Sequence, residues 1–240
     1  MGDRRESNYY VARKTQLLRT FDQFAMAAKE VLASHYGESD AQEIVRRMRR
    51  EYELVIPQLP YIGGKKNRLT ENLIGTATSL ALFKELRGRG ETTEHIGRVH
   101  DRITESYLSS LPQWRLRVMR GVLSSRLGLW VIKSSIKRAA ATSQKRKYVE
   151  DFVFSYVEGD GRAFDFGIDY EECAIVKFFR RQGAEPFTRY VCLFDYPHSR
   201  LAGTGLVRTM TLAEGAERCD FRFRIGQEPA NRQRTRLGDT

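Results

Sequence analysis

Near Val149 the spacing of apolar residues changes from about 3.6 to 2, so the chain has to join a helical part to a strand part. Before that point the pattern is helical throughout. Leu17, Leu18, Phe21, Phe24, Ala25 and Ala28 recur at helical spacing between Thr15 and Ala33, and Gly37 ends the run. Ser39 with Gln42 predicts a capping box for a second helix, whose stripe is Ile44, Met48, Tyr52 and Val55 and whose end is Pro57. Thr70 is the expected cap of a third helix, carrying Leu73, Ile74, Ala77, Leu80, Ala81 and Phe83 and closed by Gly88 and Gly90. Thr93 to Leu111 reads as a fourth, and Pro112 opens a further helical stretch to about Lys147.

After Val149, Phe152, Phe154 and Tyr156 alternate, and so do Phe164, Phe166, Ile168 and Tyr170. A three-residue loop Gly159-Asp160-Gly161 would set Glu158 opposite Arg162 and place both aromatic rows on one face. Helices are expected over Glu171 to Arg181 and about Pro186 to Leu201, followed by a second hairpin joining Leu206–Leu212 to Cys219–Ile225. The expected class is therefore α+β: an N-terminal helical region, then a four-stranded antiparallel sheet in β-β-α-α-β-β order. That layout resembles 4-vinyl-reductase-type and TRAPP-type ligand-binding domains, an analogy of fold that says little about chemistry. The expected divisions are a helical region 1–148, a β-β-α-α-β-β region 149–226 and a loose polar tail 227–240.

At 240 residues, with 41% apolar and 30% charged side chains, an ordinary core can be buried without staples. No stretch approaches the roughly 18 unbroken apolar residues of a membrane span. Met1 to Glu6 lacks an apolar export core, and Glu6 stands where a myristoylation signal has Ser or Thr, so a cytoplasmic setting is expected. Cys173, Cys192 and Cys219 cannot all pair, and their spacing is not that of a zinc or redox site; no metal and no cofactor is expected. A spare thiol is as often a core residue as a reactive one.

Charge is distributed unevenly. No acid lies between Glu105 and Glu150, whereas Arg115, Arg117, Arg120, Arg126, Lys133, Lys137, Arg138, Lys145, Arg146 and Lys147 do, in a chain of formal net charge +11. Trp114, Val118, Leu123, Leu127, Trp130, Val131 and Ile136 accompany them, making 113–147 both basic and amphipathic. The plain reading packs the apolar side chains inward and shows the cations to water. A second seats the segment on an anionic membrane surface. Specific nucleic-acid binding lacks any motif here, since net charge alone gives only non-specific affinity.

Two places gather chemistry-bearing residues. At the expected strand-to-helix passage, Asp169, Glu171, Glu172 and Cys173 would lie near a helix N-terminus, where partial positive charge lowers a thiol pKa; the alternative is an acidic first turn beside a packed thiol. In the last hairpin, pairing Leu212 with Cys219 sets Met210 opposite Phe221 and Arg208 opposite Phe223. Arg208 is then the only charge on an apolar face, which demands a buried acid or a ligand carboxylate. Asp220 and Arg222 would take the other face, and Glu214 the connecting loop.

At these residues the chain resembles the L-2-amino-thiazoline-4-carboxylic acid hydrolase family. The shared elements are Asp165-Phe166-Gly167-x-Asp169, Glu172-Cys173, Lys177-Phe178-Phe179, Cys192-x-x-Asp195, Arg208-Thr209-x-Thr211-x-Ala213-Glu214-Gly215 and Cys219-Asp220-Phe221-Arg222. Pro60-Tyr61-Ile62-Gly63-Gly64-Lys65 and Asn67 look like a further element, extending the resemblance over most of the chain, while His198 belongs to none. The resemblance implies hydrolytic opening of a cyclic isothiourea, a small-molecule substrate, with Glu214 or Asp169 as base, Cys173 or Cys219 as nucleophile or proton donor, and Arg208 or Lys65 as carboxylate clamp. Asn67, Cys192, Asp195 and Asp220 complete the implied substrate-binding set. The competing function is a non-catalytic binding module for a small or lipid-like molecule. Nothing in the residues fixes an oligomeric state.

Overall fold

Helices α1 (Tyr9–Ala12), α2 (Lys14–Tyr36), α3 (Glu38–Val55), α4 (Leu69–Gly88) and α5 (Thr93–Ser109) open the computed structural model, which describes residues 9–230. Contacts divide the chain into two units: Met1–Ser110 with Ala174–Val191, and Leu111–Cys173 with Cys192–Thr240. The change of period at Val149 marks a change of secondary structure, whereas this division follows packing.

In the first unit the helical periodicity translates directly into burial. Ile44, Met48, Tyr52 and Val55 of α3 are wholly buried, and Phe21 of α2 stacks on Tyr52 at 5.2 Å between centroids. Each such side chain contributes about 1.5–3 kcal/mol through removal from water. Helix α4 is buried on most sides, from Leu73 through Leu86. Phe187, just before the short α9 (Thr188–Cys192), stacks on Phe83 at 4.9 Å, and α8 (Ala174–Arg181) adds Phe178 and Phe179 to the core.

The helix ends differ from expectation. Gly37, at φ +81°, both ends α2 and starts α3, so Ser39 falls inside the first turn and no side chain caps it. Gln42 Nε2 instead donates to Glu38 Oε1 at 3.1 Å. Thr70 likewise lies within α4 and donates to the Gly64 carbonyl at 2.9 Å, while Asn67 Oδ1 accepts the Leu69 N–H at 3.0 Å. Thr92 caps α5 by accepting from His95 N, as a residue of extended backbone at that position should.

The second unit holds α6 (Gln113–Ser124), α7 (Arg126–Ser143), α10 (Asp195–Ala202) and an antiparallel sheet in the order β1-β2-β4-β3. Its strands are β1 (Val153–Glu158), β2 (Phe166–Glu172), β3 (Leu206–Val207) and β4 (Cys219–Phe223). The α+β class and the strand order along the chain stand as expected. Both hairpin registers shift. Glu158 pairs with Phe166 rather than Arg162, because Asp160 Oδ1 accepts the N–H groups of Arg162 and Ala163 and holds 159–165 as a longer loop. Leu206 pairs with Phe223, so β3 meets β4 two residues away from the predicted register. Beyond Val207 the carboxylate of Asp220 takes the N–H groups of Thr209 and Met210 at 2.8 Å each, which replaces ladder bonds and ends the strand.

Both shifts are even numbers, and an even shift leaves every side chain on its face. One aromatic row therefore still crosses the sheet: Phe154 to Tyr170 at 5.2 Å, Tyr170 to Phe221 at 5.3 Å and Phe166 to Phe223 at 4.9 Å. Phe164 leaves the row for the loop, where the Arg222 guanidinium lies 5.5 Å from its ring.

Strand β2 runs on through Glu171 and Glu172, which overturns the acidic first helical turn. Glu171 accepts from Gln144 and Ser155, Glu172 pairs with Arg146, and α8 begins only at Ala174 with no acid in its first turn. The basic segment departs further. Leu116 is buried, but Trp114, Val118, Val122, Leu127, Trp130 and Val131 are all at least half exposed, so of the two placements expected for Trp114, Leu127 and Trp130, inward or at an interface, the inward one does not occur. No helix among the described residues is long and apolar enough to cross a membrane. The tail 231–240 and the start 1–8 lie outside the described residues, and Ala230 N donates to the Leu206 carbonyl at 3.0 Å.

Candidate active site around Arg208 and Asp195

Arg208 follows β3 and is 1% exposed, the most completely buried charge among the described residues of the second unit. Its Nη1 donates to Asp195 Oδ2 at 2.7 Å and its Nη2 to the Cys192 carbonyl at 2.9 Å. The guanidinium lies 4.8 Å from the Phe221 ring centroid and 5.2 Å from that of Tyr196. Tyr196 in turn donates its hydroxyl to the Arg208 carbonyl at 3.2 Å. Burial is the largest single effect and opposes the charge, but Asp195 first, with Cys192, Tyr196 and Cys219, together outweigh it and hold the Arg208 pKa above its ordinary value. The partner demanded by the sequence is thus an acid of the chain itself.

Asp195 opens α10 and keeps a 40% exposed side chain, so the pair has one buried and one accessible end. Cys192 contributes its carbonyl to Arg208 from the end of α9, and Cys219 begins β4 opposite Tyr170. Cys219 Sγ accepts the Leu212 N–H at 3.2 Å. Desolvation pushes the thiols of Cys192 and Cys219 up, and also the Tyr170 hydroxyl, with Asp195 adding to the rise in each. These are neutral S–H and O–H groups at ordinary pH. Cys173, half-buried between β2 and α8, is near enough to both Tyr170 and Cys192 to act on them electrostatically.

The other candidates lie elsewhere. Asp169 pairs across β2 and β4 with Asp220, on the sheet face opposite Tyr170 and Cys219. Arg222 Nη1 donates to it at 2.6 Å, and Arg218 approaches to 3.5 Å. Asp220 spends its oxygens on Thr209 and Met210. Glu214 is exposed at the end of a 3-10 turn, accepting from Thr211 Oγ1 at 2.9 Å. Lys65 and Asn67 belong to the first unit. Asn67 there ties its loop by donating to the Ile62 carbonyl at 2.7 Å, Lys65 is exposed, and Gly64, at φ +57°, packs where a Cβ would meet the Tyr9 ring at 2.8 Å. Among the described residues no group of His, Cys, Asp and Glu could hold a metal ion.

Tyr170, Tyr196 and Phe221 were not singled out as site residues from the sequence. The run Cys192-x-x-Asp195-Tyr196 carries the signal for one of them, because spacings of three and four bring side chains together on helical turns.

Comparison with known proteins gives one finding. The family model described as L-2-amino-thiazoline-4-carboxylic acid hydrolase matches residues 127–223. This supports the family assignment drawn from the sequence motifs and takes in all of the Arg208 cluster. The match is narrower than the resemblance first suggested, since the loop with Lys65 and Asn67 falls outside it. No curated protein and no solved structure matches the chain.

Proposed function

We propose, with residues 127–223 placed in the L-2-amino-thiazoline-4-carboxylic acid hydrolase family, that this protein hydrolyses a small cyclic amidine or isothiourea. The family name carries the class, a hydrolase. The observation that supports the finer reading is a guanidinium-bound, accessible carboxylate that acts electrostatically on Cys192 and on Cys219 and Tyr170, the last two paired on one face of the sheet.

The reaction needs water added at the carbon between nitrogen and sulfur, the carbon–sulfur bond broken and a proton placed on the leaving sulfur. Atoms balance with one water: the ring carbon becomes a urea carbonyl and the sulfur a thiol. In this reading the Asp195 carboxylate, fixed by Arg208, accepts the proton of the attacking water. Cys219 or Cys192 relays that proton to the leaving sulfur, giving up its own S–H proton and taking the one held by Asp195, so that each thiol is neutral before and after, and a thiolate nucleophile at Cys219 is disfavoured by burial. Asp169, held by two arginines on the opposite face, is not in position to act with them. Arg208 is already engaged by Asp195, so the substrate carboxylate is left to other cations of the second unit.

The direct test is thiol release from L-2-amino-thiazoline-4-carboxylate by the full chain. Turnover that Asp195→Asn reduces by about a hundredfold or more, with melting unchanged, supports the assignment. Turnover that survives Asp195→Asn and fails on Glu214→Gln would return the base to Glu214. Absence of turnover on this substrate and on related thiazolines would favour the binding module.

A further inference from the structure

Helices α6 and α7 leave their apolar side chains in water in a pattern that the hydrolase reading does not use. On α6, Trp114, Val118 and Val122 repeat every four residues and are 64%, 60% and 53% exposed, while Leu116 on the opposite side is buried. On α7, Leu127, Trp130 and Val131 are 71%, 63% and 50% exposed, while Gly128 and Ala140 are buried. Each helix thus has an inward face and a separate outward apolar row. Such a row is unfavourable in water unless something covers it.

The charges beside the rows say what that something is. Arg117, Arg126, Lys137 and Arg138 are exposed on these helices, and the run from Glu105 to Glu150 holds no acid. An open cleft of about 390 Å³ lies against Trp130, lined by Arg126, Lys133, Ser134, Lys137 and Glu158, three cations to one acid. Glu158 already spans Lys133 and Lys137 at 2.6 Å each, so the cleft retains positive charge. A second copy of the chain presenting the same cations would be repelled. A nucleic acid would satisfy the cations and leave two tryptophans and four aliphatic side chains wet. A surface combining negative headgroups with an apolar interior satisfies both sets.

We infer that α6 and α7 form a docking surface for an anionic phospholipid membrane, on which the protein lies without crossing it. The apolar rows enter the headgroup boundary, and the flanking arginines and lysines contact the lipid phosphates. This is independent of the chemistry at Asp195.

Trp114 and Trp130 are the chain's two tryptophans, so intrinsic fluorescence reads this surface alone. The full chain is mixed with vesicles of phosphatidylcholine alone, or of phosphatidylcholine with phosphatidylglycerol, at low and high salt. Tryptophan emission should shift to the blue and protein should sediment only with the phosphatidylglycerol vesicles, and salt should reverse both. Leu127→Glu with Val131→Glu should lower partitioning by about tenfold or more at an unchanged melting temperature. Arg126→Gln with Arg138→Gln, which removes charge without touching the apolar rows, should lower it as well. Trp114→Phe and Trp130→Phe show whether each helix contributes its own shift. Absence of a shift with anionic vesicles at low salt overturns the inference, and so does equal binding to phosphatidylcholine. A shift that grows with protein concentration without vesicles would make a second copy the occupant and overturn it too. So would wild-type partitioning by both double variants.

Discussion

Helices α3 and α7 are each 18 residues long and amphipathic, yet their apolar rows meet opposite fates. On α3, Ile44, Met48, Tyr52 and Val55 are wholly buried; on α7, Leu127, Trp130 and Val131 are half exposed or more. Their polar faces differ too. Helix α3 neutralises itself, with Glu43 bonded to Arg46 and Arg47 and Glu53 to Arg49. Helix α7 has cations only, and two of them turn to Glu158 of β1. Period therefore specifies which side chains share a face, and charge composition carries the hint of what that face meets.

The largest break in this comparison is expected where the usual partition of charge is inverted. Arg208→Ala should lower stability by about 3–5 kcal/mol, because it removes a buried partner of Asp195 and strands the polar groups around it. Arg208→Met should lose less, since its side chain fills buried space that alanine leaves empty; chemical denaturation of both variants decides. Met48→Ala on α3 should cost roughly 3 kcal/mol through the cavity it leaves.

Next in size is an effect that separates a buried base met by a hydroxyl from a buried cation met by a carboxylate. His100, bonded to Ser79 at 2.8 Å, is held by burial at a pKa of about 4 against an ordinary 6.5. As pH falls through 6.5 the unfolded chain takes the proton first, so the stability His100 contributes is present above that pH and is lost between about 6.5 and 4. The loss is at most about 3 kcal/mol, and His100→Gln should remove it from the difference between variant and wild-type pH profiles. Smallest of all, Leu127→Ala should change the melt in the absence of lipid by less than about 0.5 kcal/mol. A loss near that of Met48→Ala would mean that α7 is covered in solution, and the contrast with α3 would fall.

The sequence carried the class, the strand order and the aromatic face, because these depend on period and parity. It did not carry the registers, because those were settled by the carboxylates of Asp160 and Asp220 capturing backbone N–H groups, an event outside any hydrophobic pattern. Ser39 and Thr70 looked like caps for want of the positive φ at Gly37 and the reach of Asn67. At the site, the apolar surroundings of Arg208 predict an acid, and the family resemblance implies Asp195 only as a substrate-binding residue. Its identity as that acid needed the fold, since the two are thirteen residues apart with a turn between them. Asp169 shared the motif but took the other face of the sheet, a fact fixed by its place one residue before Tyr170.

The strand order has a consequence for how the chain is made. Strand β2 is completed on one edge by β1, only seven residues upstream of it, and on the other by β4, which leaves the ribosome some 50 residues later. During that interval β2 presents an unpaired edge carrying Ile168 and Tyr170, the kind of template that recruits stray strands. Cys219 arrives with β4, so closing that edge and assembling the Asp195 cluster are one event in the life of the nascent protein. A chain stopped before Cys219 would be deprived of chemistry and of protection against aggregation together.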